Sequence, residues 1–157
     1  MKHRKAIKQA AQTIPVCKGR TYELQIDRLG TSGEGVGRYD NFTVFVPNAL
    51  PGETVSVIIE EVKNSYARGC IKQILHESVD RVAPRCELYE ECGGCQLQHL
   101  SYEAQLRAKR AQVVDALTHI GKLAQIPVME TLRAEEPWNY RNKMQFPIGR
   151  NSGKIVI

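Results

Sequence analysis

Five short segments between residues 21 and 75 alternate apolar and polar residues with a period of two, and this pattern restricts the fold more than any other feature of the chain. In the first segment Tyr22, Leu24 and Ile26 alternate with polar residues, which places them on one face of a strand. The other segments lie around residues 36–39, 42–46, 55–59 and 67–75. Turn-forming residues separate them. The pattern therefore predicts five half-buried strands, which favour a small closed barrel of the oligonucleotide-binding (OB) type over an open sheet.

Three glycines in the first link, Gly33, Gly35 and Gly37, have the G-x-G-x-G spacing of loops that bind S-adenosylmethionine. A nucleotide-binding loop of that kind leaves a strand and opens a helix. Here the glycines lead into a turn at Asp40 and Asn41 and then into another predicted strand. We therefore interpret them as part of a barrel hairpin, in which glycine allows neighbouring backbones to approach closely.

Basic and aromatic side chains occur at the turns and strand ends of the predicted barrel. Bases can stack on aromatic rings while cations contact the phosphates, so this combination favours nucleic-acid binding. The barrel alone does not establish that function, because barrel folds serve many purposes. The candidate residues for RNA binding are Arg38, Tyr39, Lys63, Tyr66, Arg68 and Lys72.

The net charge of +5 is concentrated at the start of the chain. Residues 1–20 carry six Lys and Arg and no acidic residue, whereas residues 21–157 have 16 basic and 17 acidic residues. Such an arm is either a solvated terminus or an electrostatic contact for nucleic acid. It lacks the apolar block of a secretory signal, and no apolar run approaches the roughly 20 residues of a membrane-spanning helix. We expect a cytoplasmic protein that does not contact membranes.

Three of the five cysteines lie within ten residues, in a stretch from 84 to 100 that we call the cysteine segment. Their spacing is Cys86-x5-Cys92-x2-Cys95, and two glycines separate Cys92 from Cys95. In a chain expected to stay in a reducing compartment, this pattern favours metal ligation over disulfides. Two intervening residues allow both thiolates to face one metal. Spacing alone favours zinc slightly over an iron–sulfur cluster.

The spacing does not identify a fourth ligand. His99 would complete a Cys3His zinc site, Cys17 and Cys70 are further thiols, and a residue after Ile157 is the remaining option. Buried inert thiols, or one nucleophilic cysteine assisted by His99, are weaker interpretations because the three cysteines are so crowded.

One helix and a pair of strands are predicted after the cysteine segment. Ser101 is a suitable N-cap, and Gly121 is suited to end the helix. Residues 137–146 and 153–157 predict two strands around a turn at residues 151–153. The apolar stripe of the helix would consist of Leu106, Val113, Leu117 and Ile120.

The cysteine segment resembles the iron–sulfur segment of bacterial RNA uracil-5-methyltransferases that modify 23S ribosomal RNA, the RlmD (RumA) type. The resemblance is carried by residues 84–110, which read P-R-C-E-L-Y-E-E-C-G-G-C-Q-L-Q-H-L-S-Y-E-A-Q-L-R-A-K-R. In that family a barrel called the TRAM domain precedes the segment. Residues 22–75 resemble it, most clearly in Gly33-Glu-Gly35-Val-Gly37 and in residues 49–55. Residues 140–146 resemble the opening of the family's next region.

The resemblance implies that Cys86, Cys92 and Cys95 are three ligands of a 4Fe-4S cluster. It places the fourth cysteine after Ile157 and leaves His99 a structural residue. In the family a cysteine thiolate adds to C6 of uracil, C5 takes the methyl group of S-adenosylmethionine, and a base removes the C5 proton. Those catalytic residues and the S-adenosylmethionine site lie in a C-terminal domain, and no residue of this chain matches them. We therefore expect a monomeric N-terminal part of an enzyme that binds 23S ribosomal RNA.

The predicted fold class is α+β and mainly β. We expect a basic arm over residues 1–16, the barrel over residues 17–78, the cysteine segment with its helix over residues 79–123, and the start of the methyltransferase region over residues 124–157. The alternative function is a stand-alone RNA-binding module that binds zinc and has no catalytic activity. An enzyme of the same family that acts on transfer RNA is a weaker alternative, because those relatives resemble this chain less in the barrel and the cysteine segment.

Overall fold

The computed structural model describes residues 14–123, 125–143 and 148–156. The chain is α+β and mainly β, as the sequence predicts. Within the described residues, no helix is both long and apolar enough to cross a membrane. The elements are β1 (Thr21–Leu29), β2 (Gly35–Tyr39), β3 (Phe42–Val46), β4 (Thr54–Val62), β5 (Tyr66–His76), α1 (Tyr89–Cys92), α2 (Tyr102–Asp115), β6 (Gly149–Asn151) and β7 (Lys154–Val156).

The first five strands close into a barrel in the order β1-β2-β3-β5-β4. β1 pairs with β2 on one side and with β4 on the other. The parallel β3–β5 pair closes the barrel, and the other four pairs are antiparallel. Closure pairs the backbone N–H and C=O groups of strand edges that would otherwise be free to pair with another chain. The predicted small five-stranded barrel is confirmed.

The alternating pattern determines which side chains fill the barrel. In β4, Val55 and Val57 are fully buried, and Ile59 is almost so. On the neighbouring β1, Leu24 and Ile26 are buried against them. The intervening polar residues lie on the outer face, because successive side chains of a strand point to opposite sides.

Gly69 lies at a close approach between β5 and β4. A Cβ atom at this position would lie 2.5 Å from the carbonyl oxygen of Ile58 and 2.5 Å from Cγ1 of Val57. Those distances are shorter than any van der Waals contact, so a larger residue would displace β4. Glycine at this position therefore sets how tightly the barrel closes.

A buried ion pair joins the barrel to the chain that follows it. Glu53 is fully buried, and Arg81 donates from Nε to its Oε1 at 2.5 Å and from Nη2 to its Oε2 at 2.9 Å. Burial alone would raise the pKa of Glu53, but hydrogen bonds from Arg81 and from the amide of Leu50 lower it below its ordinary value. The carboxylate is therefore charged and fully paired.

Arg81 also fixes the path of the chain toward α2. Its Nη2 donates to the carbonyl of Asn48 at 2.8 Å, and its backbone forms a β-bridge with Leu100. The amide of Ser101 donates to the carbonyl of Asp80 at 2.9 Å. These contacts hold the residues just before the cysteine segment next to the residues at its C-terminal end.

Helix α2 begins where the sequence predicts, because the Ser101 hydroxyl accepts the amide of Ala104 at 3.3 Å. A π-helical turn, Ala116–Ile120, continues the helix to the predicted end at Gly121. The helix packs on the barrel through its small residues, with Ala104 buried against Leu29, Leu50 and Leu100.

The predicted apolar stripe of α2 is only partly covered, because Leu106 and Leu117 are half-buried whereas the other two members are exposed. Val113 is 49% exposed and Ile120 is 83% exposed. Alanines allow the helix backbone to approach the barrel more closely than the larger stripe residues would. Helical periodicity identified a continuous apolar face but not which residue of the helix is buried.

At the end of the chain, β6 and β7 form a hairpin around Ser152 and Gly153, which confirms the predicted turn. The first strand of this pair was predicted at residues 137–146, but the described residues of that range, 137–143, contain no strand. The hairpin instead uses Gly149–Asn151, because a two-residue turn pairs only the residues that flank it.

Residues 144–147 lie outside the described residues, as do residues 1–13 of the predicted basic arm. Val16 packs in the barrel core.

We predict that Glu53→Gln and Arg81→Met each lower the free energy of unfolding by about 3 kcal/mol, because each leaves a buried group without its partner. The double variant should lose less than the sum of the two losses. Urea denaturation at pH 7 measures all four proteins. Glu61→Gln is the matched control, since it breaks the exposed ion pair with Lys63 and should have no measurable effect. Strictly additive losses would contradict the proposed coupling.

Candidate nucleic-acid interface and metal-binding segment

The strand register places basic and aromatic side chains side by side on the outer face of the barrel. Partner residues on adjacent strands project to the same side of a sheet. Phe45 of β3 pairs with Arg68 of β5, and Thr43 pairs on its two sides with Arg38 and Tyr66. Since Val44 and Val46 point into the barrel, these alternate residues point outward. We call Arg38, Phe45, Tyr66 and Arg68 the outer patch.

Three members of the outer patch, Phe45, Tyr66 and Arg68, lie within contact distance of one another. The Phe45 and Tyr66 rings meet edge to face, with centroids 5.5 Å apart. The Arg68 guanidinium carbon lies 5.8 Å from the Tyr66 ring centroid. Arg38 and Arg68 are both exposed. A partly exposed aromatic surface flanked by arginines is an arrangement that can stack bases and contact phosphates.

The structure brings together three of the six residues that the sequence analysis proposed for RNA binding, namely Arg38, Tyr66 and Arg68. Tyr39 instead packs on Tyr22 against the core, with ring centroids 4.7 Å apart. Lys63 pairs with Glu61 at 2.6 Å, and Lys72 is exposed farther along β5.

Phe45 was missed, although the alternation in β3 held the signal. Because Val44 and Val46 occupy the inner face, the residue between them had to point outward. A large aromatic residue on the outer face of a strand is a candidate contact rather than a core residue.

A cleft of about 410 Å³ separates the outer patch from the cysteine segment. Phe45 and Arg68 line one side, and Gly93, Cys95 and Gln96 line the other.

The glycine-rich loop before β2 packs directly on the cysteine segment. A Cβ at Gly33, which has a φ of +91°, would lie 3.3 Å from Gln96 Cβ and 3.3 Å from Leu97 Cδ2. Gly33 therefore allows the loop to pack on the cysteine segment, whereas Gly35 and Gly37 lie against barrel residues, so the G-x-G-x-G spacing has a packing role.

Cys86, Cys92 and Cys95 are all exposed on the cysteine segment. Cys92 ends α1, and Gly93 follows with a left-handed φ of 66°. A Cβ at Gly94 would lie 3.3 Å from the Cys92 sulfur, so glycine keeps this thiol uncrowded. Three exposed thiols are a donor set that suits zinc or an iron–sulfur cluster. Among the residues that the structure describes, no three His, Cys, Asp or Glu side chains are gathered as a metal site.

The His99 side chain is buried beneath the cysteine segment and bonds Tyr89 of that segment. It is 2% exposed, and its Nδ1 lies 2.5 Å from the Tyr89 hydroxyl. That hydroxyl donates to the carbonyl of Gln96 at 2.9 Å, so the imidazole donates from Nδ1. Its Nε2 is buried without a hydrogen-bond partner among the described residues.

Burial lowers the pKa of His99 to about 4, and the charge of Arg81 lowers it further while Glu53 opposes the shift. The imidazole is therefore neutral at pH 7. His99 is buried whereas Cys86, Cys92 and Cys95 are exposed, and this difference favours a structural role for His99 over the zinc-ligand role left open by the spacing.

Comparison with known proteins places a TRAM domain at residues 15–72. A curated protein of Clostridium tetani, described as an uncharacterized RNA methyltransferase, is 49% identical over 144 residues, which are 92% of this chain and 31% of that protein. A curated protein of Clostridium acetobutylicum with the same description is 47% identical over 148 residues, covering 93% of this chain and 32% of that protein. The chain thus spans about a third of the length of these relatives.

Among solved structures, the Pyrococcus abyssi tRNA (uracil-54, C5)-methyltransferase in complex with S-adenosyl-L-homocysteine is 30% identical to the chain. The match covers 60% of this chain and 21% of that structure, with a TM-score of 0.38.

We predict that acid destabilises the protein through His99. The folded pKa of about 4 lies below the ordinary value of 6.5, so the unfolded state takes up the proton first as the pH falls. The free energy of unfolding should be highest above pH 6.5 and should fall by roughly 2 kcal/mol toward pH 4. This figure includes a reduction for partial solvent screening of the imidazole. Urea denaturation between pH 7 and pH 5 measures this slope.

His99→Gln should flatten that slope, whereas His119→Gln, on the exposed π-helical turn, should leave it unchanged. Equal slopes for the wild type and His99→Gln would contradict the assignment of a buried neutral imidazole.

Proposed function

We propose that the chain forms the RNA-binding part of an RNA methyltransferase, because it carries a TRAM domain and is related to curated RNA methyltransferases. The observation that carries the proposal is the outer patch, which lies within the TRAM barrel. Stacking rings and exposed arginines on one sheet face suit unpaired RNA, whose bases are free to stack. The basic arm would add charge that attracts RNA from a distance.

The reaction we propose for the whole protein is methyl transfer from S-adenosylmethionine to C5 of a uridine in 23S ribosomal RNA, in the cytoplasm. The resemblance of residues 84–110 to the uracil-5-methyltransferases of ribosomal RNA supports this choice of base and RNA. A base within structured RNA must leave its stack before an enzyme reaches C5. An RNA-binding barrel would hold the neighbouring nucleotides while that happens.

We further propose that Cys86, Cys92 and Cys95 hold three positions of a 4Fe-4S cluster. The thiolate donors suit the cluster, and their exposure on the cysteine segment leaves room for a fourth ligand from outside it. When bound, the cluster would cross-link the segment between the barrel and α2, as a structural metal does. Tyr89 and His99 would hold the segment from the inner side, and no step of methyl transfer is assigned to these residues.

We predict that Arg38→Gln combined with Arg68→Gln weakens RNA binding and flattens its dependence on salt, because two phosphate-contacting cations are removed. The slope of log K against log salt should fall by about 1 to 2. Fluorescence anisotropy with a labelled single-stranded RNA, at several salt concentrations, measures both effects.

The matched control combines Lys109→Gln with Arg150→Gln, which removes the same charge from exposed positions outside the barrel. If both double variants lose affinity equally, general charge accounts for binding and the outer patch does not.

We predict that protein purified without oxygen contains iron and acid-labile sulfide and that Cys92→Ser loses both together with thermal stability. Metal analysis and thermal melting before and after chelation measure the outcome. The control is Cys70→Ser, which alters a thiol on β5 and should retain the metal. Colourless protein with one zinc and no sulfide would contradict the cluster and would support the stand-alone zinc-binding module.

A further inference from the structure

We propose that the cleft between β3 and the cysteine segment binds one unpaired RNA nucleotide, with its base stacked on Phe45. This inference rests on the proposed RNA binding and adds a defined site to it. The cleft volume of about 410 Å³ lies within the range of small-molecule sites and exceeds what a single base occupies.

Phe45 is placed to serve as the stacking surface. It lines the cleft and is only partly buried, while the edge-to-face contact with Tyr66 limits the tilt of its ring. Arg68 lies at the same side of the cleft and belongs also to the outer patch. A nucleotide could therefore insert its base into the cleft and leave its phosphate beside Arg68.

The charges around the cleft select the base and not the phosphate. Two carboxylates, Glu34 and Glu90, line the cleft together with the single cation Arg68. The carboxylates would repel a phosphate but can accept hydrogen bonds from amino groups of a base. Glu34 accepts the Ser32 amide through Oε2 at 3.0 Å, which fixes its carboxylate beside the cleft. We therefore infer a preference for bases with an exocyclic amino group, which are adenine, cytosine and guanine, over uracil, whose base has only the single ring N3–H donor.

The opposite wall of the cleft belongs to the cysteine segment. The side chain of Gln96 donates from Nε2 to the carbonyl of Gly93 at 3.1 Å, and the backbone carbonyl of Gln96 accepts a hydrogen bond from the Tyr89 hydroxyl. The packing of Gly33 on Gln96 holds this wall against the barrel. The base site consequently exists only where the cysteine segment is folded onto the barrel, so the two modules bind one nucleotide jointly.

Anisotropy with labelled hexamers of A, C and U, and with a duplex of the same length, tests the proposal. Phe45→Leu keeps apolar volume but removes the stacking face, so it should weaken binding of the A and C hexamers about 10-fold or more. Duplex binding should not change. Phe42→Leu, the same substitution on the same strand, should bind every RNA as the wild type does. Glu34→Gln combined with Glu90→Gln should reduce the preference for A and C over U. Thermal melting confirms that each variant is folded.

Equal effects of Phe45→Leu and Phe42→Leu, or equal binding of all three hexamers by the wild type, would overturn the base site. Either result leaves the proposed RNA binding intact if the Arg38 and Arg68 double variant still loses affinity. Failure of the wild type to bind any of these RNAs would overturn the proposed function and the base site with it.

Discussion

The buried pair between Glu53 and Arg81 is the interaction on which the relation between the two halves of the structure depends. Glu53 lies in the barrel just before β4, whereas Arg81 lies beyond β5, so one contact connects positions 28 residues apart. A charged pair with no solvent at the carboxylate is tolerated only when its hydrogen bonds are satisfied. Here the amide of Leu50 and Nη2 of Arg81 donate to Oε2, and Nε of Arg81 donates to Oε1, so both carboxylate oxygens are satisfied. The geometry of this pair thus determines where the cysteine segment begins.

The position of the cysteine segment in turn defines the candidate site. Leu100, bridged to Arg81, packs with Leu29 and Leu50 beneath α2, and His99 next to it anchors Tyr89. The segment then lies on Gly33 and faces Phe45 across the cleft. A barrel alone would offer only a flat basic surface. The barrel with the segment offers a surface and a recess, which suits RNA that has one base turned out of its stack.

The barrel could be predicted from the sequence because its constraints are local. Period-two alternation is visible within five residues, and the turn at Asp40 and Asn41, with φ values of 46° and 64°, uses residue types that tolerate a left-handed backbone. The Ser101 cap and the Ser152–Gly153 turn have equally local signals.

The parts that could not be predicted depend on contacts between distant residues. The apolar stripe of α2 was predicted, but Val113 and Ile120 of that stripe are exposed and the buried residue of the helix is Ala104, because close approach to the barrel favours small side chains. Tyr39 was taken for a stacking surface, but it completes the core against Tyr22. The pairing of Glu53 with Arg81 has no periodic signature at all. The ligand role of the three cysteines remains a prediction from spacing and resemblance.

The central claim is that RNA contacts the outer patch and the adjoining cleft. Titration of the isotopically labelled chain with a single-stranded oligoribonucleotide, followed through the backbone amide resonances, tests it most directly. The account predicts that shifts concentrate on β2, β3 and β5 around Arg38, Phe45 and Arg68, and extend across the cleft to Gln96. Shifts confined to α2 or to the β6–β7 hairpin, with the barrel unaffected, would contradict it.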